Sequence, residues 1–418
     1  MFYTFYSRFN DCIKMDQDLE VHLVIRDSFN SCTPSLSRVV ELFENQRKVN
    51  KENVNERDEN GETLLHRVVQ KPKAYSSAVV NFLLEKGAQV TMKTKNKLDE
   101  RQDKTALHIT TQNMTDYSLD IVKILSTNLP AVNAEDGFGK TSLYYAVGNE
   151  HESALEIVRF LLEKGADINQ KSIYDRETPL HRAVENEHES ALGIVHLLLE
   201  KGADINTVDN TGKTPLHLAV GNKHESAIKI VRFLLEKGAD INTKDMDRKT
   251  PLQLAVNNNN NKSIPETIRL LLEKGADINT KDRCRETPLH LAVKNNNKSA
   301  LEIIRLLLAR GADVNATNIH GYTPLCRAVG NQLGPKIVGL FLEKGADINQ
   351  KGIRDGGTPL HRAAENKNEF ALETVCLLLE KGADINTKDN DGYTPSLRCW
   401  KQRGIRSRDG SLTCRKRI

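Results

Sequence analysis

The sequence predicts an all-α repeat solenoid in which short helix-turn-helix units stack on one another. A tetrapeptide close to Thr-Pro-Leu-His recurs, an amphipathic segment follows each copy, and most of these segments end at a glycine. The copies begin at Thr63, Thr105, Thr141, Thr178, Thr214, Thr250, Thr287, Thr323 and Thr358, and a broken copy begins at Thr394. Successive copies lie about 36 residues apart, with one longer step of 42 residues after Thr63. A fixed period of this size is typical of stacked supersecondary units.

The composition fits such a stack and excludes several other classes. Of the 418 residues 38% are apolar and 5% aromatic, enough for small repeated layers of aliphatic side chains. Lys and Arg exceed Asp and Glu by only 60 − 56 = 4, which argues against nucleic acid as the main ligand. Seven scattered cysteines without a C-x-x-C pair favour free thiols in a reducing compartment. With no signal-peptide pattern and no long apolar run, we expect a cytoplasmic protein without a membrane span, for which nuclear access is open.

The repeat from Asn206 to Gly238 shows how each element is specified. Residues 209–212, Asp-Asn-Thr-Gly, have the chemistry of a tight turn. Thr214 provides an N-cap hydroxyl, and Pro215 occupies the first helical position, where a missing N–H costs nothing. A short first helix is therefore predicted, with small apolar residues that allow close stacking.

A second, amphipathic helix follows in the same repeat. Its apolar residues fall at i, i+3, i+4, i+7 and i+8, namely Ala227, Ile230, Val231, Leu234 and Leu235. Gly238 is predicted to end this helix in a left-handed conformation, as are Gly87, Gly165, Gly202, Gly275, Gly311, Gly345 and Gly382. Capping boxes are expected where a serine precedes a glutamate by three residues, as in Ser153 with Glu156, Ser263 with Glu266 and Ser299 with Glu302.

These two motifs in register make the chain similar to ankyrin repeat proteins. Thr-Pro-Leu-His stands at 178–181, 214–217 and 358–361, and Gly-Ala-Asp-Ile-Asn at 202–206, 238–242 and 275–279. The resemblance covers roughly residues 36–395. It implies stacked antiparallel helix pairs, short β-hairpin loops that project to one side, and a concave face that binds proteins.

The sequence departs from the usual ankyrin pattern at several places. About three extra residues per repeat, as in 221–227, predict longer loops between the two helices or an added partial turn. Residues 91–104 predict a longer, charged hairpin, and Leu129-Pro130 in place of a glycine predicts a different end for the second helix of that repeat. The asparagine run at 257–261 is predicted to be a mobile inter-helix loop.

Three segments are expected. Residues 1–34 show no clear period and are assigned little fixed structure, and residues 35–395 form the solenoid of about nine full repeats plus partial end repeats. Residues 396–418 lose the pattern and become basic, as a targeting signal or as a disordered or truncated repeat. The helix at 36–45 is expected to belong to an imperfect first repeat.

The recurring polar residues favour a structural role over a chemical one. Histidines recur once per repeat, at His66, His108, His181, His217, His290 and His361, so they do not converge on one metal site. Hydrogen bonding between hairpin and helix backbone accounts for them better. The repeated aspartates occupy identical settings, which does not suit a pair of catalytic carboxylates. No nucleotide, zinc-protease or serine-hydrolase motif occurs, so no enzyme, metal or cofactor is predicted.

Binding is expected where side chains vary while the scaffold does not. The residues just before the motif threonines, at the hairpin ends, include Lys140, Glu177, Lys213, Lys249, Glu286, Tyr322 and Tyr393. The short helices carry three arginines, Arg182, Arg327 and Arg362. We expect these arginines either to line the groove or to form salt bridges within the repeats. Tyrosine and arginine are common hot-spot types, so Tyr322, Tyr393 and Arg327 are the preferred anchors, and Tyr322 is expected to be presented rather than packed.

The predicted function is a scaffold or adaptor that binds one or more partner proteins through the concave face and the hairpin tips, without catalysis. Two alternatives stay open. The chain could deliver bound proteins to a ubiquitin ligase through a docking box in one of its ends, or it could be a fragment similar to latrotoxin-like secreted toxins. Neither end carries a convincing amphipathic docking segment, and the large membrane-acting helical region of such toxins is missing from this sequence.

Overall fold

The computed structural model describes residues 53–58, 60–95, 103–126, 129–224, 226–258, 263–295, 299–366 and 370–402. These residues contain twenty helices and no β-strand, which confirms the all-α repeat fold. The chain divides into two units, residues 1–211 and 212–418. In the part of the chain just given, no helix combines the length and apolarity needed to cross a membrane.

The first unit contains four helix pairs and one additional short helix. In chain order its helices are α1 (Leu64–Gln70), α2 (Ser76–Glu85), α3 (Ala106–Gln112), α4 (Ser118–Leu125), α5 (Leu129–Val132), α6 (Ser142–Val147), α7 (Ala154–Glu163), α8 (Pro179–Glu185) and α9 (Ala191–Glu200). Within this unit α1, α3 and α6 each pack on the second helix of their own repeat and on the first helix of the next repeat, and α8 packs on α9. This contact pattern is that of a repeat stack.

The second unit continues the same plan with eleven helices. They are α10 (Pro215–Gly221), α11 (Ala227–Glu236), α12 (Pro251–Asn257), α13 (Ile264–Glu273), α14 (Pro288–Lys294), α15 (Ala300–Ala309), α16 (Pro324–Ala328), α17 (Gly334–Glu343), α18 (Pro359–Glu365), α19 (Ala371–Glu380) and α20 (Pro395–Gln402). The predicted apolar stripe forms the core, since Ile230 and Leu234 of α11 are fully buried.

The glycine that ends each second helix has the predicted left-handed backbone. At Gly238 φ is 89°, and all seven other glycines named above for this role also have positive φ. The Gly238 amide donates to the Leu235 carbonyl at 3.2 Å, and the Ala239 amide donates to the Leu234 carbonyl at 3.0 Å. These two bonds form a Schellman motif, so the predicted helix stop is confirmed.

The capping boxes predicted at the second helices are wrong. Ser153, Ser263 and Ser299 stand at the N-cap positions of α7, α13 and α15, but none forms a side-chain cap hydrogen bond. Their backbones are near the helical region, with ψ between −10° and 0°, whereas an N-cap hydroxyl reaches its amide from an extended backbone. Ser153 instead bonds His151, whose Nδ1 lies 2.8 Å from the serine Oγ.

The extra residues between the helices form a loop that ties adjacent repeats together. Asn186, which follows α8, donates from its amide group to the Val147 and Asn149 carbonyls of the preceding repeat, both at 3.1 Å. The side-chain amide of Asn331 likewise donates to the Val293 carbonyl of the preceding repeat at 2.6 Å. Equivalent bonds are made by Asn113, Asn149, Asn258, Asn295 and Asn366. The longer loop therefore supplies an asparagine that satisfies a carbonyl at the end of the neighbouring first helix.

Two other places where the sequence departs from the common repeat pattern are also visible in the structure. The second helix of the repeat after Thr105 ends at Leu125, and the Leu129-Pro130 pair begins the separate short helix α5, as expected for a missing glycine stop. In the long hairpin, Lys93 and Thr105 form an antiparallel bridge, while residues 96–102 lie outside the described residues. The predicted helix at 36–45 and most of the asparagine run (259–261) also lie outside them, as do residues 403–418 of the basic segment.

Candidate protein-binding surface

A histidine-based capping box builds the start of most first helices. In α14 the Thr287 amide donates to Nδ1 of His290 at 3.2 Å, and the Thr287 Oγ lies 2.9 Å from the same nitrogen. Because Nδ1 accepts this N–H, the proton must sit on Nε2. The histidine thus takes the place that glutamate holds in an ordinary capping box. The same arrangement occurs at His66, His108, His181, His217 and His361.

The second ring nitrogen reaches the next repeat. Nε2 of His290 donates to the Tyr322 carbonyl at 3.0 Å, and Nε2 of His108 donates to the Lys140 carbonyl at 3.0 Å. His66, His217 and His361 make the equivalent bond to Met92, Lys249 and Tyr393. The predicted structural role of these histidines is therefore confirmed. Burial lowers the pKa of His66, His108 and His290 to about 4, so these rings are neutral at pH 7.

The repeated Asp and Asn of the glycine motif also serve the scaffold. The Asp167 carboxylate accepts the Asn169 amide at 2.9 Å, and the Asn169 side chain accepts the Asp204 amide of the next repeat at 2.9 Å. The same pair of bonds recurs in the second unit, for example from Asp277 to Asn279 and on to Asp313. These aspartates hold turns, so they have a structural role, as the sequence predicted.

In the first unit two predicted binding residues, Lys140 and Glu177, are brought together by Tyr144. Lys140 lies 4.6 Å from the centroid of the Tyr144 ring and 3.6 Å from the Asp175 carboxylate. The Tyr144 hydroxyl donates to the Glu177 carboxylate. Burial and this hydrogen bond raise the pKa of Tyr144. Lys140 and Glu177 therefore lie in one half-buried cluster instead of standing free at a hairpin end.

A similar contact holds the neighbouring tyrosine. The Tyr145 hydroxyl donates to Asp136 at 2.5 Å, and Lys104 lies 4.8 Å from the ring centroid. Arg182, the predicted groove residue, lies directly over the Gly148 backbone. The Arg182 side chain thus covers the end of the preceding first helix.

In the second unit one pair of predicted residues forms a single ion pair. The Arg327 guanidinium contacts the Glu286 carboxylate, although 41 residues separate them in the chain. The Glu286 carboxylate is largely covered, whereas the arginine is about one third exposed. Lys249 pairs with Asp247 at 3.2 Å within its own hairpin. Lys213 is half-buried.

Tyr322 is packed, which corrects the expectation that it is presented freely. The Arg362 guanidinium lies 4.4 Å from the ring centroid and contacts the hydroxyl, and this hydroxyl donates to Asp355 at 2.7 Å. Arg362 and Asp355 are 2.9 Å apart. Burial raises the pKa of Asp355, but the hydrogen bonds from Tyr322 and the Gly357 amide and the charge of Arg362 outweigh it and lower the pKa overall.

Helix α20 adds a further arginine to this cluster. Arg398 lies 2.6 Å from Asp389, 3.0 Å from Glu365 and 3.4 Å from Asp355. The Asp389 side chain is fully buried. Nearby, a surface pocket of about 550 Å³ is lined by His320, Tyr322, Arg354, Asp355, Arg362, Asn390 and Asp391. Tyr393, the other predicted tyrosine anchor, is half-buried, and its carbonyl accepts from His361.

Sequence reasoning missed several members of these clusters. Tyr144 stands at the histidine position of its motif, and Tyr145 and Arg398 stand one residue after that position, where Arg327 and Arg362 also stand. Comparing these two positions along all repeats would have identified them. Asp355 could not be found this way, because its partners come from three different repeats.

Comparisons with known proteins agree with this architecture. A family model described as ankyrin repeats (3 copies) matches six overlapping ranges, 92–172, 169–245, 192–282, 227–318, 252–352 and 301–389. Together these matches span residues 92–389, well over half of the chain, so the chain belongs to the ankyrin repeat family.

Two individual proteins are similar to parts of the chain. The ankyrin repeat protein FPV233 of Fowlpox virus (strain NVSL) is 36% identical over 63 residues, which is 15% of this chain and 12% of the viral protein. The crystal structure of the ankyrin repeat domain of Bcl-3, a member of the IkappaB protein family, is 31% identical and has a TM-score of 0.45. That match covers 56% of this chain and 97% of the Bcl-3 domain. The chain thus spans about one eighth of the length of the viral relative it matches.

Proposed function

We propose that this protein is a non-enzymatic scaffold or adaptor that binds other proteins through its hairpins and first helices. Ankyrin repeats generally mediate protein-protein interaction, and the division of labour among the residues supports that role here. The histidine capping boxes recur from repeat to repeat and hold the backbone. The asparagines of the glycine motif and those of the inter-helix loops recur in the same way. Residues beside them change from repeat to repeat in charge and aromatic character. A uniform frame with variable side chains favours recognition over a reaction at one centre.

The observation that carries this proposal is that titratable groups in the repeats are engaged in hydrogen bonds to the backbone. His290 uses both ring nitrogens for backbone hydrogen bonds, and Asp277 uses its carboxylate to hold a turn. Groups fixed in this way are not poised to exchange protons with a substrate. The half-exposed arginines and tyrosines, such as Arg327 and Tyr322, are residue types that dominate protein interfaces.

Quantitative co-purification from native cells tests the proposal. The full chain is compared with a variant carrying Arg327→Ala and Lys249→Ala, which changes the surface without touching the capping boxes. The expected result is a reproducible set of partner proteins whose recovery falls in the variant. Turnover of a small molecule by the purified chain, without any saturable protein partner, would overturn the proposal.

We also propose a cytoplasmic location. Cys284, Cys326 and Cys376 are free thiols, a state that suits a reducing compartment. Fractionation with antibodies against the native protein tests this, and recovery from a secreted fraction would contradict it. Delivery to a ubiquitin ligase stays a prediction, because the docking box was expected in residues 1–34 or 396–418, of which the structure describes only residues 396–402.

A further inference from the structure

In the second unit, exposed apolar and cationic side chains share the hairpin tips. Met246, Ile319 and Ile353 expose 69%, 48% and 75% of their surfaces, although aliphatic side chains gain free energy from burial. Arg248 lies on the same hairpin as Met246, and Arg354 on the same hairpin as Ile353. Arg285 lies on the hairpin between those of Met246 and Ile319, and all three arginines are exposed. We name these six residues the tip row.

The backbone holds the tips of these successive hairpins side by side. The Arg283 amide donates to the Asp247 carbonyl at 2.8 Å, and the Ile319 amide donates to the Cys284 carbonyl at 3.0 Å. The Ile353 amide then donates to the His320 carbonyl at 2.8 Å. Each hairpin tip is thus bonded to the next one, and the tip row is one continuous surface.

The arginines of the tip row differ from several other arginines of the described residues in having no carboxylate partner. Arg67, Arg327, Arg362 and Arg398 all pair with carboxylates. Across the residues that the structure describes, the guanidinium groups of Arg248, Arg285 and Arg354 form no ion pair or hydrogen bond. A carboxylate from outside the chain can therefore bind them without breaking an internal contact.

Two of these arginines also occupy an unfavourable backbone conformation. The position two residues before the motif threonine has positive φ in most hairpins and is glycine in six of them, Gly61, Gly139, Gly212, Gly321, Gly356 and Gly392. Arg248 and Arg285 stand at this position with φ of 61° and 57°. A side chain is strained there, and glycine is not. The fold alone therefore gives no reason for arginine at these positions.

We infer that the tip row binds an acidic segment of a partner protein that also carries apolar side chains, an inference that rests on the protein-binding function proposed above. Carboxylates of the segment would pair with Arg248, Arg285 and Arg354, and its apolar side chains would cover Met246, Ile319 and Ile353. Charge complementarity selects this occupant, since a basic segment would be repelled. A nucleic acid backbone would leave the three apolar side chains without partners.

Fluorescence anisotropy with the full-length chain tests the inference. The probe is a short labelled peptide in which glutamates and leucines alternate with serines, and the comparison probes are the same peptide with glutamine for glutamate and a single-stranded RNA. We expect saturable binding of the acidic peptide that weakens as salt is raised, and much weaker binding of both comparison probes.

The deciding variant is Arg248→Gly combined with Arg285→Gly. Because glycine is the residue that other repeats use at this position, the variant keeps its fold and its melting temperature does not fall. Peptide affinity should drop about tenfold, as for the loss of two partly exposed charge pairs. The charge-matched control is Arg232→Ala with Lys229→Ala on helix α11, away from the hairpins, which should leave affinity unchanged.

The outcomes separate this inference from the proposed function. If the glycine variant and the α11 control lost equal peptide affinity, the effect would be one of general charge and the inference would be overturned. Equal or tighter binding of the RNA would overturn it too, as would failure of the acidic peptide to bind. If native partners are still recovered in those cases, the scaffold function stands and only the tip row is refuted.

Discussion

Replacing His290 by glutamine should remove a pH dependence of stability while keeping the local structure. The chain already contains the comparison, because Gln253 stands at the same position of its own repeat. Oε1 of Gln253 accepts the Thr250 amide at 3.1 Å, and its Nε2 donates to the Glu286 carbonyl at 2.8 Å. A glutamine at 290 can therefore make both backbone bonds that the neutral histidine makes, but it cannot take up a proton.

The magnitude follows from the pKa of His290, which burial lowers from 6.5 to about 4. Between these values the unfolded chain binds a proton that the folded chain does not. The stability that His290 contributes is therefore complete above pH 6.5 and is lost as the pH falls toward 4. A difference of two to three pH units corresponds to about 3 kcal/mol.

Urea unfolding followed by far-UV circular dichroism at a series of pH values provides the assay. Wild type and H290Q should be similarly stable at pH 7. Below pH 6.5 the wild type should lose stability faster, by about 3 kcal/mol in total at pH 4. Parallel curves for the two proteins would refute the assignment of His290 as a buried neutral bridge, since the other histidines are common to both.

Four further predictions follow from packing and backbone geometry. Gly238→Val should cost about 2 kcal/mol because a β-branched side chain fits positive φ poorly, even though its Cβ would meet no atom within 4 Å. Tyr322→Ala should cost about 1–2 kcal/mol of stability because it removes the arginine and aspartate contacts of the ring and hydroxyl. Arg398→Ala should leave a buried carboxylate unpaired and abolish hydrogen-exchange protection of α20 while sparing the other helices. Asn331→Ala should cost about 1–2 kcal/mol because a buried carbonyl of the preceding repeat loses its donor.

Each of these has a control and a result that would contradict it. Gly221→Ala, at the end of α10 where a Cβ also meets no atom, should raise stability slightly, and equal melting of the wild-type protein and the Gly238→Val variant would contradict the left-handed stop. Tyr322→Phe should retain most of the stability that Tyr322→Ala loses. If Tyr322→Ala were as stable as the wild type, the ring would not be packed. Arg398→Lys should protect α20 partly, whereas full protection in Arg398→Ala would exclude the ion-pair lock. For Asn331→Ala, normal exchange of the neighbouring loop amides would show that the asparagine does not stabilise the loop.

The periodic part of the fold could be predicted because it is specified within each repeat. The proline after Thr214, the apolar spacing of α11 and the left-handed Gly238 act over a few residues, so a single copy reveals them and the other copies confirm them. The serine capping boxes failed for a local reason as well. A serine before a helix caps it only when its own backbone is extended, and the sequence pattern does not report that angle.

The candidate surface depended on contacts between repeats, which the sequence does not display. Arg327 was identified as an anchor, but only the structure shows its carboxylate partner Glu286, 41 residues away. Tyr322 was expected to stand free, yet the stacking of one repeat on the next places Arg362 over its ring. The tip row went unnoticed because its exposure depends on how the hairpins lie side by side.

The sequence by itself determined the class of this protein, since propensity, capping and periodicity are short-range and recur in every repeat. Only the tertiary structure shows which polar side chains form contacts within the protein and which are available to bind a partner. That distinction depends on distances between residues more than thirty positions apart, as between Tyr322 and Asp355, and no local pattern encodes such distances.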